Sequence, residues 1–283
     1  MLLLTKHSLT EIVRLAIDED LGTGDITTNV TIPAHLTGTG RFISKSSGII
    51  CGWPLVQEVF AQLDPHIKLE IFFEDGTSTR AGDTLAVVSG PVRGILSGER
   101  VALNFLQHLS GVATRTNTLV NLISEFPHVR LVDTRKTLPG FRALDKYAVR
   151  VGGGHNHRYN LTDAVLIKDN HISAAGSLRK AVESARANIP HTMKIEVEAE
   201  SETQVREALE VGVDIIMLDN MKSEKMKSMV KLINKRALIE ASGNVSEENI
   251  KKIAATGVDV ISAGSLTHSA QALDISLKID LHK

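Results

Sequence analysis

One cysteine, Cys51, in 283 residues excludes an internal disulfide and fits a reducing compartment. Aromatics are also scarce: 7 Phe, 2 Tyr and 1 Trp leave Ile, Val, Leu and Ala to build the core. That composition suits strands buried on both faces and alternating with helices. No apolar run approaches the ~18 residues that span a bilayer. Met1–Leu4 is apolar, but Lys6 and His7 interrupt it before it could act as the core of a signal peptide. Neither sign of charge dominates, since 32 basic and 33 acidic side chains leave −1, so no general attraction to nucleic acid is expected. The remaining balance, 42% hydrophobic and 23% charged, is that of a soluble globular chain. At roughly 150 residues per domain, the length suits one large domain or one large plus one small. The expectation is a cytoplasmic enzyme.

The chain opens on a helix pattern, with Ser8 and Glu11 in capping-box spacing and Ile12, Leu15 and Ala16 on one face. A polar turn over 18–25 ends it. From Gly38 to Leu96, short strand-like runs (Gly48–Ile50, Leu69–Phe73, Thr84–Val88) alternate with Gly76, Gly82, Gly90 and Gly94, as in a small barrel or sandwich with tight turns. The spacing is similar to that of lipoyl or biotinyl carrier domains, but no lysine falls between Lys68 and Lys136 to carry a cofactor, so the region reads as scaffold. Ser97 to Phe126 lacks proline and carries a broad apolar face, which predicts one long helix or two abutting ones. After residue 128, strand candidates recur at 129–133, 164–168, 193–198, 213–219, 237–241 and 258–262. Ser201 with Gln204 predicts a capped helix between two of them, and Gly212 its C-terminal stop. The segments 212–216 and 257–261 nearly repeat. Strand, helix, glycine, strand, repeated, is the pattern of a β/α barrel, and six strands predict an open or incomplete one.

Active sites of β/α barrels lie at the C-terminal strand ends. Here those ends read Asp133-Thr134-Arg135-Lys136, Lys168-Asp169-Asn170-His171, Glu196 with Glu198, Asp219-Asn220, Ser242-Gly243-Asn244 and Ala263-Gly264-Ser265. Nearly all are charged or small, which predicts a shared site. Alternation along 194–198 turns Lys194, Glu196 and Glu198 toward the barrel interior, where charges must be paired or bind a cation. An internal Lys194–Glu196 salt bridge is one outcome; Glu198 and Asp219 are the better candidates for a metal or sugar hydroxyls. Between 133 and 168, seven cations face three acids, a local excess of +4 that should attract a small anion. Arg142, Lys146 and Arg150 sit at helical spacing and read as a solvated face. Arg135, Lys136, Arg158 and Lys168 sit on strand ends or in the glycine-rich loop 152–158 and read as anion ligands. His155 and His157 in that loop could ligate a metal, a weak signal beside an arginine. Ser242, Gly243, Gly264, Ser265 and His268 suit a phosphate, which barrels often bind after their last two strands.

Seven segments resemble the quinolinate phosphoribosyltransferases: 19–28 (EDLGTGDITT), 98–104 (GERVALN), 133–137 (DTRKT), 152–158 (GGGHNHR), 167–171 (IKDNH), 195–198 (IEVE) and Ser242-Gly243. They fall in family order over nearly the whole chain, and the DTRKT and GGGxNHR pair is specific. The resemblance implies an N-terminal α/β sandwich domain over 1–114 and an open β/α barrel over 115–269, with 270–283 packing back on the first. It implies transfer of phosphoribose from phosphoribosyl pyrophosphate to quinolinate with decarboxylation, Mg2+ as cofactor, and a role in NAD synthesis. By position, Arg135, His157, Arg158 and Lys168 would hold the two quinolinate carboxylates, with Arg100 reaching in from the partner of a homodimer that could assemble into hexamers. Lys136 would meet the phosphoribosyl donor, Glu198 and Asp219 its ribose and metal, and Ser242, Gly243, Gly264 and His268 its phosphate. Lys136, Lys168, Glu198 and Asp219 form the implied catalytic set. Asn244 stands where some relatives carry glycine.

Three other readings compete: a phosphoribosyltransferase for nicotinate or another ring acid, a metal-dependent barrel hydrolase using His155, His157 and Asp219, and a phosphate-sensing protein without turnover. A ring with one carboxylate would need fewer cations than this chain supplies. Nothing in the sequence favours the sensor.

Overall fold

Thr37–Ser44 buries every second residue, and with strands on both sides it organises the N-terminal core. In the computed structural model, which describes residues 5–280, the chain forms two compact units. The first takes the described residues through Asn117, Ala143–Gly153 and the segment from Ala270; the second takes Thr118–Arg142 and Gly154–Ser269. Met1–Leu4, the expected apolar start, lies outside the described residues.

The first unit begins with helices α1 (Lys6–Leu21) and α2 (Ile26–Thr31), strands β1 (Thr37–Ser44) and β2 (Gly48–Ile49), and helix α3 (Trp53–Leu63). Strands β3 (Lys68–Ile71), β4 (Ser78–Thr79) and β5 (Thr84–Pro91) lead into the long helix α4 (Val92–Leu122). The chain leaves after α4 for strand β6 (Arg130–Val132) and returns for helix α5 (Arg142–Val151). After the second unit it returns once more, for the last strand, β12 (Ile275–Asp280). The sheet runs β12-β1-β5-β3, all antiparallel, with Phe42 opposite both Leu277 and Ala86. Phe42 packs edge-on against Trp53 and Phe60 at 5.6 and 6.4 Å between ring centres, and Leu85, Leu106 and Leu109 are buried as well. This is the expected α/β sandwich, and α4 is one continuous helix of 31 residues.

Three details differ from the sequence reading. Thr5, extended at ψ 151°, caps α1 by accepting from Ser8 N, so Ser8 and Glu11 lie inside the helix. The α1 face turned inward centres on Val13, while Leu15 is 59% exposed. Lys146 is fully buried with Leu144 and Asp145, not solvated. The first glycine of the 152–154 run also has a packing role: a Cβ on Gly152 would lie 2.4 Å from the Ala113 carbonyl oxygen, so only glycine lets α5 end this close to α4.

The second unit continues from β6 through β7 (Val165–Ile167), α6 (Asp169–Ala175), α7 (Leu178–Asn188), β8 (Ile195–Ala199) and α8 (Glu202–Glu210). It ends with β9 (Ile215–Asp219), α9 (Ser223–Ile233), β10 (Leu238–Ser242), α10 (Ile250–Ala254), β11 (Val260–Ser262) and α11 (Ser265–His268). All six strands pair in parallel in the order β6-β11-β10-β9-β8-β7. Around the ring that is chain order, and among the described residues no ladder joins β6 to β7, so the barrel is open. Ser201 and Gln204 form the expected reciprocal cap of α8, and Gly212, at φ 68°, follows its last residues. No described helix is long and apolar enough to cross a membrane.

Candidate active site

Parallel pairing brings the strand ends level. Asp219 on β9 lies opposite Ser242 on β10, which lies opposite Ser262 on β11. One step back, Glu198 on β8 faces Met217 on β9, and Met217 faces Glu240 on β10. These ends enclose a cavity of about 660 Å³, within the usual range for small-molecule sites. Its wall includes Arg135, Lys136, Arg158 and Lys168 as cations, Glu198, Asp219 and Glu240 as carboxylates, and Ser242, Gly243 and Asn244 at the end of β10.

The cationic side rests on buried Asp133. Its two oxygens accept from His157 N at 2.9 Å and from Asn156 Nδ2 at 2.6 Å, fixing the loop beyond the triple glycine. His155 adds a parallel bridge to Val132 on β6. Arg158 is thereby held with its guanidinium donating to the Ala164 carbonyl at 3.0 Å. Burial, and then the charge of Arg135, lowers the pKa of Arg158. Two guanidinium groups close enough to oppose each other's charge form a site that an anion stabilises.

On the other side, Lys168 Nζ lies 2.5 Å from Glu198 Oε2, and Asn220 Nδ2 donates to Asp219 Oδ2 at 2.6 Å. Burial, then the neighbouring Glu198 charge, raises the pKa of Asp219 from its ordinary value. Asn220 and Asn244 both adopt left-handed backbone, φ 51° and 49°, a conformation that asparagine enters more readily than most residues. Asn244 thus serves in a backbone conformation that also suits glycine.

Beneath the rim lie two carboxylates in place of an apolar floor. Glu196 and Glu240 are each 3% exposed, and their Oε2 atoms stand 3.3 and 3.4 Å from His157 Nε2. Lys194 is exposed and is not the partner of Glu196, contrary to the salt-bridge reading; the strand begins at Ile195 and leaves Lys194 outside. Burial disfavours a charged His157, but hydrogen bonds to Glu196 and Glu240 outweigh it and raise the pKa. The backbone N–H of Arg158 opposes full charge, because it donates to Nδ1 at 2.8 Å and needs a lone pair there. We therefore place the ring as the Nε2–H tautomer, with its proton held between the carboxylates. Burial raises the pKa of Glu196 against the lowering effect of the His157 hydrogen bond, and the charge of Glu240 adds to the rise.

Among the described residues, the ligating side chains that converge are His157, Glu196 and Glu240, with donor atoms within 4.8 Å of one another. The set His155, His157 and Asp219 is not brought together. The Nε2–H tautomer leaves no lone pair for a cation, so this trio is not a suitable metal site. Glu198 and Asp219 offer hard oxygens at neighbouring strand ends, which suits Mg2+ alongside substrate phosphates.

Residues 25–110 match the model of the quinolinate phosphoribosyl transferase N-terminal domain, and residues 112–278 match that of the C-terminal domain. The chain belongs to the quinolinate phosphoribosyltransferase family. It is 45% identical to a probable carboxylating nicotinate-nucleotide pyrophosphorylase of Synechocystis sp., over 92% of this chain and 89% of that protein. A Bacillus subtilis protein of the same description is 43% identical over 93% and 90%. The crystal structure of NadC from Streptococcus pyogenes superposes with a TM-score of 0.95 at 42% identity, covering 99% of both chains.

Of the residues that resemblance to the family singles out, Arg135, Lys136, His157, Arg158, Lys168, Glu198, Asp219, Ser242 and Gly243 line one cavity. Gly264 and His268 do not line it; Gly264 stands against the Lys136 side chain, and Thr267 beside them donates to the Lys136 carbonyl at 2.7 Å. Arg100 is exposed on α4 in the first unit. Between the two glutamates of β8, it is Glu198 that reaches the cavity wall. Glu240 is the residue that sequence reasoning passed over. Its signal was a single acid within the apolar run 237–241, in the same inward phase as Ser242.

Proposed function

We propose that this chain transfers phosphoribose from phosphoribosyl pyrophosphate to the ring nitrogen of quinolinate, releasing pyrophosphate and CO2 and forming nicotinate mononucleotide for NAD synthesis. The observation that carries the reading is one cavity that gathers two mutually repelling guanidiniums, two lysines and two strand-end carboxylates, with Lys168 paired to Glu198. Adjacent carboxylates on a planar ring suit Arg135 and Arg158, with Lys168 beside them. Lys136 and the small-residue loop at the end of β10 suit the donor's phosphates. The ring nitrogen attacks the anomeric carbon as its bond to pyrophosphate breaks, and pyrophosphate leaves with the electron pair. The oxocarbenium-like ribose that develops is stabilised by Glu198 and Asp219 across the cavity. The pyridinium then accepts the electrons released when the adjacent carboxylate leaves as CO2, and the ring carbon takes up a proton. Mg2+, held by Glu198 and Asp219, would neutralise the departing pyrophosphate.

Arg100, from a second copy in a homodimer, would complete the cation set. The lone cysteine, a buried free thiol, supports a cytoplasmic setting. Carboxyl-labelled quinolinate, supplied with phosphoribosyl pyrophosphate and Mg2+ beside a nicotinate control, tests the reaction. Labelled CO2 and nicotinate mononucleotide from quinolinate alone are expected. Turnover of nicotinate, or no release from folded protein, would refute it.

A further inference from the structure

The buried pair Glu196 and Glu240 has no part in the chemistry above, and stability does not account for it. A buried acidic pair is seldom better than apolar side chains of similar size. Each also keeps an oxygen, Oε1, without a hydrogen-bond partner. What the pair does have is direction: both Oε2 atoms point at His157 Nε2, and Nδ1 of the same ring receives the Arg158 N–H. His157 thus turns both ring nitrogens into the protein, although family resemblance would give it to a substrate carboxylate.

We infer that Glu196 and Glu240 are positioning residues, which act through His157 to fix the backbone of Arg158 and so set its guanidinium against Arg135 for a dicarboxylate. This rests on the quinolinate reading. The loop that carries Arg158 is held before that residue by Asp133 and the His157 ring, and after it by Asp163 and Arg142, which hold Tyr159, so the His157 ring is the contact that reaches the Arg158 amide itself. Release of the ring lets Arg158 drift, and a site that must grip two neighbouring carboxylates at once loses more than one that binds a single point charge.

The test compares Glu240→Leu, which removes an acceptor, with Glu240→Gln, which keeps one but loses the charge. Glu240→Leu should raise the KM for quinolinate about tenfold. Its KM for phosphoribosyl pyrophosphate should rise less than that for quinolinate, so that the two KM values split. Glu240→Gln should recover most of the loss. If instead both variants lower the quinolinate KM, the carboxylates act as a charge brake and the inference is wrong. Equal changes in both KM values, with a fall in melting temperature, would reduce them to scaffold and also overturn it. Should Glu240→Leu fail to fold, Glu196→Ala with His157→Gln decides: losses that do not add support one relay, and additive losses refute it. Parental turnover of quinolinate tests the underlying reaction separately. Calorimetric quinolinate binding gives the same comparison of variants without turnover.

Discussion

Gly243 has φ 102°, and a Cβ there would lie 2.2 Å from Asn220 Oδ1. Asn220 in turn donates to Asp219, so a side chain at 243 strains the backbone and pushes on the group that holds a site carboxylate. For Gly243→Ala we expect a loss of about 1–3 kcal/mol in urea unfolding. The KM for phosphoribosyl pyrophosphate should rise more than that for quinolinate; equal rises would make the loop scaffold alone. Residues of this kind were legible in the sequence because a parallel strand delivers its last residues to one face of the barrel. Arg135, Lys168, Glu198, Asp219 and Ser242 all followed from that rule. Glu240 did not, because reading strand ends passes over a residue within the strand. The company of His157 was not legible either. Which inward side chains of nearby strands meet depends on the stagger of the barrel, which the chain order does not reveal.

At the scale of elements, the two near-repeats turn out to be the same device used twice. Asp214, just before β9, accepts from Ile195 N at 2.9 Å, and Asp259, just before β11, accepts from Ile239 N at 2.8 Å. Their own amides donate to the Ile195 and Ile239 carbonyls at 3.0 Å, so each aspartate clamps the start of the neighbouring strand. Asp214→Ala leaves a strand amide without its acceptor, and we expect about 1–3 kcal/mol of destabilisation by thermal melting. Both KM values should hold, since the clamp lies at the end of the strand away from the cavity; a shifted KM at unchanged stability would contradict this assignment. All six barrel strands were visible as apolar runs, each ending in the charged or small residues that mark the chemistry. The strand pair β12–β1 was not, because its partners come from opposite ends of the chain and neither periodicity nor turn residues link them. The start of α1 was misplaced for a smaller reason: Thr5 and Ser8 are both good caps, and local pattern does not choose between them.

At the scale of the whole molecule, the remaining question is where Arg100 acts. It sits on α4, and α2 is fastened to the same helix by Arg93 Nε donating to the Ile32 carbonyl at 2.8 Å and Ser97 Oγ donating to Asp25 at 3.1 Å. On that fastened helix, Ile26 and Val30 are 76% and 78% exposed, an apolar pair at i, i+4. A second copy of the chain covering this surface would bury the pair and receive Arg100 in its cation set. A two-fold dimer makes the idea testable with two dead variants. Arg100→Ala and Arg135→Ala should each lose quinolinate turnover as homodimers. After subunit exchange, a mixed dimer would carry both lesions in one site and neither in the other. Equal mixtures should therefore recover about a quarter of the parental activity, because about half the dimers are mixed and each has one intact site. Exchange shown by mass-tagged subunits without any recovery would place Arg100 in its own chain's site, or in none.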